Sequence, residues 1–176
     1  MKKVLLGIAV LLGVAGVLVL YGSNFAKQTV HDQLSAQKIK FPAKEALEKD
    51  NPALVKYAGA EVDTGDEAKA YSEYIKGHIA KIANNQTYSE VSGQYQQQKD
   101  KTTAEAKKLE GQRLSLFMGE TLRGLLLNAW GWGLIGAIAF YAGITLLLGA
   151  VLVAIVALAM KESKPAAKKR ATSKKK

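Results

Sequence analysis

Two long runs without a charged residue constrain this chain more than any other feature. The first lies between Lys3 and Lys27, and within it Val4–Tyr21 is almost entirely Val, Leu, Ile, Ala and Gly. At about 1.5 Å per residue, about 20 apolar residues cross a hydrocarbon core of about 30 Å. The run therefore predicts a transmembrane helix over residues 4–24. A cleaved signal peptide is the competing reading, because Lys2-Lys3 could serve as its basic start. The stretch exceeds the roughly 7–15 residues of a signal-peptide core, and the residues from Tyr21 to Ala26 offer no small-x-small cleavage site. A retained signal anchor is the expectation.

The second run, Gly124–Met160, has 37 residues. As one helix it would extend about 55 Å, more than a bilayer core accommodates, yet it is too short for two spans and a turn. The expected division is a membrane-surface approach over 119–133 and a second span over 134–160. Trp130 and Trp132 mark the joint, since indoles favour the headgroup level, with Tyr21 and Phe25 at matching depth on the first helix. Small residues line one face of each run: Ala9, Gly13 and Gly16 on the first, and Gly136, Ala139, Gly143, Ala150, Ala154 and Ala157 on the second. Such faces let helix backbones approach closely in lipid, and Gly and Ala are also simply common in membrane helices.

Charge placement sets the expected topology. The chain carries 25 Lys and Arg against 15 Asp and Glu, a formal +10. Nine of those ten excess charges fall at the two ends, in residues 1–3 and 161–176. Basic segments flanking spans stay in the cytoplasm. Both termini are therefore expected inside a bacterial cell membrane, with the nearly neutral middle outside. The tail, with Lys161, Lys164, Lys168, Lys169 and Arg170, is expected to be disordered and to contact anionic lipid headgroups. Nucleic acid is a poor partner for it, because no aromatic residue interleaves to stack on bases.

The middle, residues 25–118, reads as a small helical domain. Asp50-Asn51-Pro52 is a helix start and Gly59 a stop. Asp63-Thr64 caps a longer helix in which Ala68, Tyr71, Ile75, Ile79 and Ile82 recur at helical spacing, ending near Asn84-Asn85. Thr87-Tyr88-Ser89-Glu90 is a capping box. Gln94–Lys101 is a weak stretch, and helix resumes from Thr103 with Leu109, Leu114 and Phe117 on one side. Phe41, Leu47, Leu54, Val55, Tyr57 and Val62 complete the expected core. The fold class is thus an all-α membrane protein, with two antiparallel transmembrane helices flanking a small extracytoplasmic helical domain.

Chemistry-bearing patterns are few. No cysteine is present, which removes disulfides and every thiolate site. Gly131-Trp132-Gly133-Leu134-Ile135-Gly136 matches the spacing of a dinucleotide loop but lacks the preceding strand that such a loop needs. Asp63-Thr64-Gly65 matches an aspartic-protease tripeptide, yet it opens a helix. His31 and His78 are the two histidines, and a metal site built on them lacks any fixed third ligand. Asn85-Gln86-Thr87 is a glycosylation sequon whose threonine already serves as a cap. Glu120 and Arg123 form an i,i+3 pair near Asn128 and the two tryptophans, a candidate contact with a partner subunit or a lipid headgroup. Nothing calls for a cofactor or assigns a catalytic residue.

Four stretches, Phe25–Pro42, Tyr57–Ile79, Thr87–Ser92 and Gly119–Trp132 (GETLRGLLLNAWGW), together resemble a family of two-span bacterial membrane proteins of actinobacterial type. The resemblance implies the same order of span, outside helical domain and span, and it supplies no activity. Some members carry the label aromatic ring-opening dioxygenase, which the histidine inventory here does not support. The leading expectation is a non-enzymatic accessory or structural subunit that docks to a larger membrane complex. Its alternatives are an extracytoplasmic ligand-binding or sensing module and, third, an enzyme with a His31/His78 metal site.

Overall fold

The computed structural model describes residues 1–160; the basic tail, with Lys161, Lys164, Lys168, Lys169 and Arg170, lies outside the described residues. The described residues are predominantly helical. Its elements are α1 (Lys2–Ser35), α2 (Lys44–Asp50), a 3₁₀ segment (Pro52–Tyr57), α3 (Gly65–Ile82), α4 (Tyr88–Gln97) and α5 (Ala104–Ala159). The long apolar helices α1 and α5 pack antiparallel, with the shorter elements between them in sequence. Both are long and apolar enough to cross a membrane. Only 11% of the most apolar window of α1 and 17% of that of α5 is buried within the protein. The core helix of a water-soluble protein would be mostly covered, so these two are candidate membrane spans.

Both long helices extend beyond their charge-free runs. α1 continues past Asn24 through Lys27, His31 and Asp32 to Ser35. α5 is a single 56-residue helix that passes unbroken through Trp130 and Trp132. At 1.5 Å per residue it is about 84 Å long. The expected division into a surface approach and a separate span therefore has no break in the backbone to mark it. No proline occurs between 104 and 159, and the glycines there keep their amides, so the hydrogen-bond ladder continues.

Two compact units divide the chain, one comprising Met1–Val19 with the chain from Ala142, the other Leu20–Tyr141. In the first, the small residues form the seam. Ala9 and Gly16 on α1 and Gly143, Ala150 and Ala157 on α5 are buried, whereas Gly13 and Ala154 are half-buried. A Cβ added at Gly16 would lie 2.9 Å from Leu147 and 3.1 Å from the Gly143 carbonyl oxygen, so only glycine allows this approach. The large side chains around the seam, such as Leu11, Leu18, Leu148 and Leu152, are exposed.

The second unit holds the larger core. Val30 and Leu34 of α1 join Phe41, Leu47, Leu54, Val62, Ile75, Ile79, Val91, Leu109, Leu116 and Leu126 in one cluster. Phe41 stacks on Tyr57 and meets Tyr71 edge-on, each at 5.1 Å between ring centroids. A short antiparallel bridge pairs Lys40 with Glu61, and it closes the chain between α1 and α3. The local punctuation follows the chemistry of the residues. Pro52 opens the 3₁₀ segment. Gly59 takes φ +70°, and Asn84 and Asn85 end α3 at φ 52° and 60°. Thr64 and Thr87 each complete a capping box, with Glu67 and Glu90 respectively.

Three expected core positions are corrected. Leu114 and Phe117 are 55% and 58% exposed, and Ile82 is 38% exposed. The buried face of α5 runs instead through Leu109, Gln112, Leu116 and Gly119, three or four residues apart. Its phase is set by α3: a Cβ at Gly119 would collide with the Ile79 side chain. The Gln112 amide donates to the Ile82 carbonyl at 2.9 Å, satisfying an orphan group at the end of α3.

Candidate functional site

The Leu20–Tyr141 unit contains a cleft of about 560 Å³. That lies within the roughly 300–1,000 Å³ of small-molecule sites. Three elements wall it. α1 supplies Asn24, Lys27, Gln28, Val30 and His31; the start of α3 supplies Asp63, Thr64, Gly65 and Asp66; α5 supplies Trp130, Gly133, Leu134 and Ala137.

The α3 wall sits close to α5 because two glycines face each other. A Cβ on Gly65 would come within 3.2 Å of the Trp130 Cα and 3.4 Å of the Gly133 Cα. The capping box then fixes the polar groups. The Glu67 carboxylate accepts hydrogen bonds from the Asp63 and Thr64 amides at 3.1 and 3.0 Å and from the Thr64 hydroxyl at 2.8 Å. Burial pushes the Glu67 carboxyl up. The donations from the Thr64 hydroxyl and from the two amides outweigh it, and Glu67 is held below its ordinary range.

Asp63 responds oppositely. Its hydrogen bond to the Glu67 carboxyl, then burial and the Glu67 charge, raise it above the ordinary aspartate range, while His31 pulls the other way. His31 Nδ1 stands 3.9 Å from the Asp63 carboxylate, and this contact is open to solvent, with side-chain exposures of 52% and 34%. The cleft thus has an acidic end at Asp63 and Asp66 and a cation at Lys27. Lys27 lies over the Phe140 ring at 4.7 Å, and Lys69 lies over Trp130 at 4.2 Å.

The candidates expected near the Trp pair have separate surroundings. Arg123 reaches Glu120 at 2.6 Å and also donates from Nε to the Ser72 carbonyl at 3.2 Å, so its guanidinium ties α5 to α3. Its side chain is only 17% exposed. Trp130 is occupied with Lys69 and Gly65, while Asn128 and Trp132 are exposed. Gly136 is buried and Ala139 half-buried. A Cβ at Gly136 would lie 3.5 Å from that of Ala26, and the Gly136 carbonyl accepts the Ser23 hydroxyl at 2.6 Å. Ser23 is 1% exposed, and nothing in its sequence context signalled that role.

The two histidines have different neighbours. His31 faces Asp63, while His78 stacks on Tyr74 at 6.4 Å. Among the described residues no group of three or more His, Asp or Glu side chains could hold a metal ion. The cleft itself was not anticipated, because its acids and its histidine are brought together only by the packing of α1, α3 and α5. Compared with protein-family models, curated proteins and solved structures, the chain matches none of them.

Proposed function

We propose that this is a non-enzymatic integral protein of a bacterial cell membrane, an accessory subunit that docks to a larger membrane complex. Both termini lie in the cytoplasm, and the shorter helices lie outside. The observation that carries docking is an apolar row left uncovered on α5. Leu114, Phe117, Met118, Leu122 and Leu125 are 55%, 58%, 55%, 38% and 65% exposed, respectively. Leu114, Met118, Leu122 and Leu125 recur three or four residues apart, with Phe117 beside them, the pattern of a helix face that receives another helix. They lie on a stretch that still carries Arg113, Glu120 and Arg123, so lipid alone is a poor cover for the row. Purification of the intact protein from its native membrane in mild detergent tests this. A stoichiometric membrane partner is expected, and it should be lost from the Leu114→Glu, Met118→Glu double variant. Recovery of the wild type as a lone monomer sinks the proposal. Reporter fusions after residues 60 and 170 check the topology, with the first expected outside and the second inside.

The cleft favours a second reading, in which the outside helices form a ligand-binding or sensing module anchored by the two spans. It predicts that a small ligand raises the thermal midpoint of the whole protein.

A further inference from the structure

The order of charges along the cleft is the feature that goes furthest beyond these readings. Its α1 wall starts where the charge-free run of that helix ends: Lys27 is the first charge after Lys3. Its α5 wall, including Leu134 and Ala137, lies wholly inside the charge-free run Gly124–Met160. Along α5, Lys27 packs at Gly136 with its ammonium over Phe140, whereas Gly65 packs nearer the start of the helix at Trp130 and Gly133. Asp63 stands beside His31, one turn beyond Lys27 on α1. A molecule in the cleft therefore meets the Lys27 level first and the Asp63 and Asp66 level beyond it.

We infer that the cleft binds the headgroup of an aminophospholipid, with its phosphate at Lys27 and its terminal ammonium at Asp63 and Asp66. The groups of such a lipid follow the same order: acyl chain, glycerol, phosphate, then a primary ammonium. Lys27 supplies a point charge suited to a phosphate. A primary ammonium has three donors and no acceptor, which suits two nearby carboxylates. The volume of about 560 Å³ suits a headgroup, its glycerol and the first chain carbons. The acyl chains would continue along the exposed apolar faces of the spans. This inference rests on the ligand-binding reading and on α1 and α5 crossing the bilayer.

The test uses the full chain in detergent, titrated with phosphatidylethanolamine, with phosphatidylglycerol, and with soluble phosphoethanolamine. Bound lipid is counted by native mass spectrometry, and the thermal midpoint is followed in parallel. Phosphatidylethanolamine is expected to bind about tenfold more tightly than phosphatidylglycerol, the worth of one charge-assisted hydrogen bond. Asp66→Asn, on an exposed turn where refolding is not at stake, should abolish that preference, and Lys27→Gln should weaken both lipids. Equal retention of the two lipids, or an unchanged preference in Asp66→Asn, overturns the headgroup assignment. Phosphoethanolamine binding as tightly as the whole lipid overturns the lipid as source and leaves a site for a free solute. A midpoint unmoved by all three probes, with no lipid retained, overturns the ligand-binding reading itself.

Discussion

The absence of cysteine allows the pairing of α1 with α5 to be tested one contact at a time. A Cβ built on Gly13 lies 3.9 Å from the Ala150 Cβ. Disulfides favour a Cβ separation of about 3.8 Å, within roughly 3.5–4.5 Å. The double variant Gly13→Cys, Ala150→Cys should therefore bridge without moving the backbone. The bridge would close a loop of nearly the whole chain, for which the chain-entropy estimate gives about 5 kcal/mol as an upper value. Moving the first cysteine to Val14 turns it about 100° around the helix, onto a position that is 53% exposed. Copper-phenanthroline oxidation in native membranes, followed by proteolysis and mass spectrometry, reads the outcome. The 13/150 pair should crosslink within one chain, whereas the 14/150 pair should not under the same exposure. Equal crosslinking of both pairs, or only crosslinks between chains, would refute the packing and with it the seam of small residues.

Other perturbations separate the core from the uncovered face. Leu47 is fully buried and Leu114 is 55% exposed. Leu47→Ala should cost about 2–5 kcal/mol in unfolding followed by far-UV circular dichroism, and Leu114→Ala about 0.5 kcal/mol or less. Thr87→Ala removes the cap of α4 and should cost about 1 kcal/mol, with Thr87→Ser restoring most of it. Acid should destabilise the helical unit through several carboxylates. Asp50 is lowered by its hydrogen bond to Lys81, Glu61 by Lys40, Glu90 by the Thr87 amide and Asp100 by the Thr102 amide. Their contribution is complete above the ordinary 3.8 of aspartate and 4.5 of glutamate, and it is lost as pH falls through the lowered values. Asp63 is raised, so its contribution has the opposite sign and is lost as pH rises through its folded value. The thermal midpoint should thus hold near neutral pH and drop below about pH 4. A midpoint that climbs steadily to pH 2 would contradict this balance.

What could be read in advance was local chemistry. Thr64 and Thr87 cap because a hydroxyl and a carboxylate three residues apart satisfy each other's backbone amides, whatever surrounds them. Pro52, Gly59 and the pair Asn84-Asn85 work equally locally, through allowed backbone angles. The two apolar runs announced themselves by length. The full course of α5 was less plain, because the charge-free run begins only at Gly124, whereas α5 starts at Ala104 and crosses the Trp130–Trp132 joint without a break. The inward face of α5 was also hidden: Leu114 and Phe117 are as apolar as Leu116, and only the approach of Ile79 to Gly119 selects among them. The cleft was least legible of all. Its His31–Asp63 contact joins residues whose separation in sequence carries no periodic signal, and Asp63 had a sufficient local explanation as part of a cap.

The hydrogen bond from Ser23 to the Gly136 carbonyl spans 113 residues, and this has a consequence during synthesis. At about 5–20 residues per second, Ser23 is synthesised roughly 6–23 s before the carbonyl that it will meet. Throughout that interval α1, a candidate span, lacks its partner helix, with its glycine groove open and its serine unanswered. The newborn chain is then most exposed to capture by a neighbouring helix, or to removal by membrane quality control. Slowing translation between α3 and α5 should lengthen that exposure without altering one residue of the finished protein.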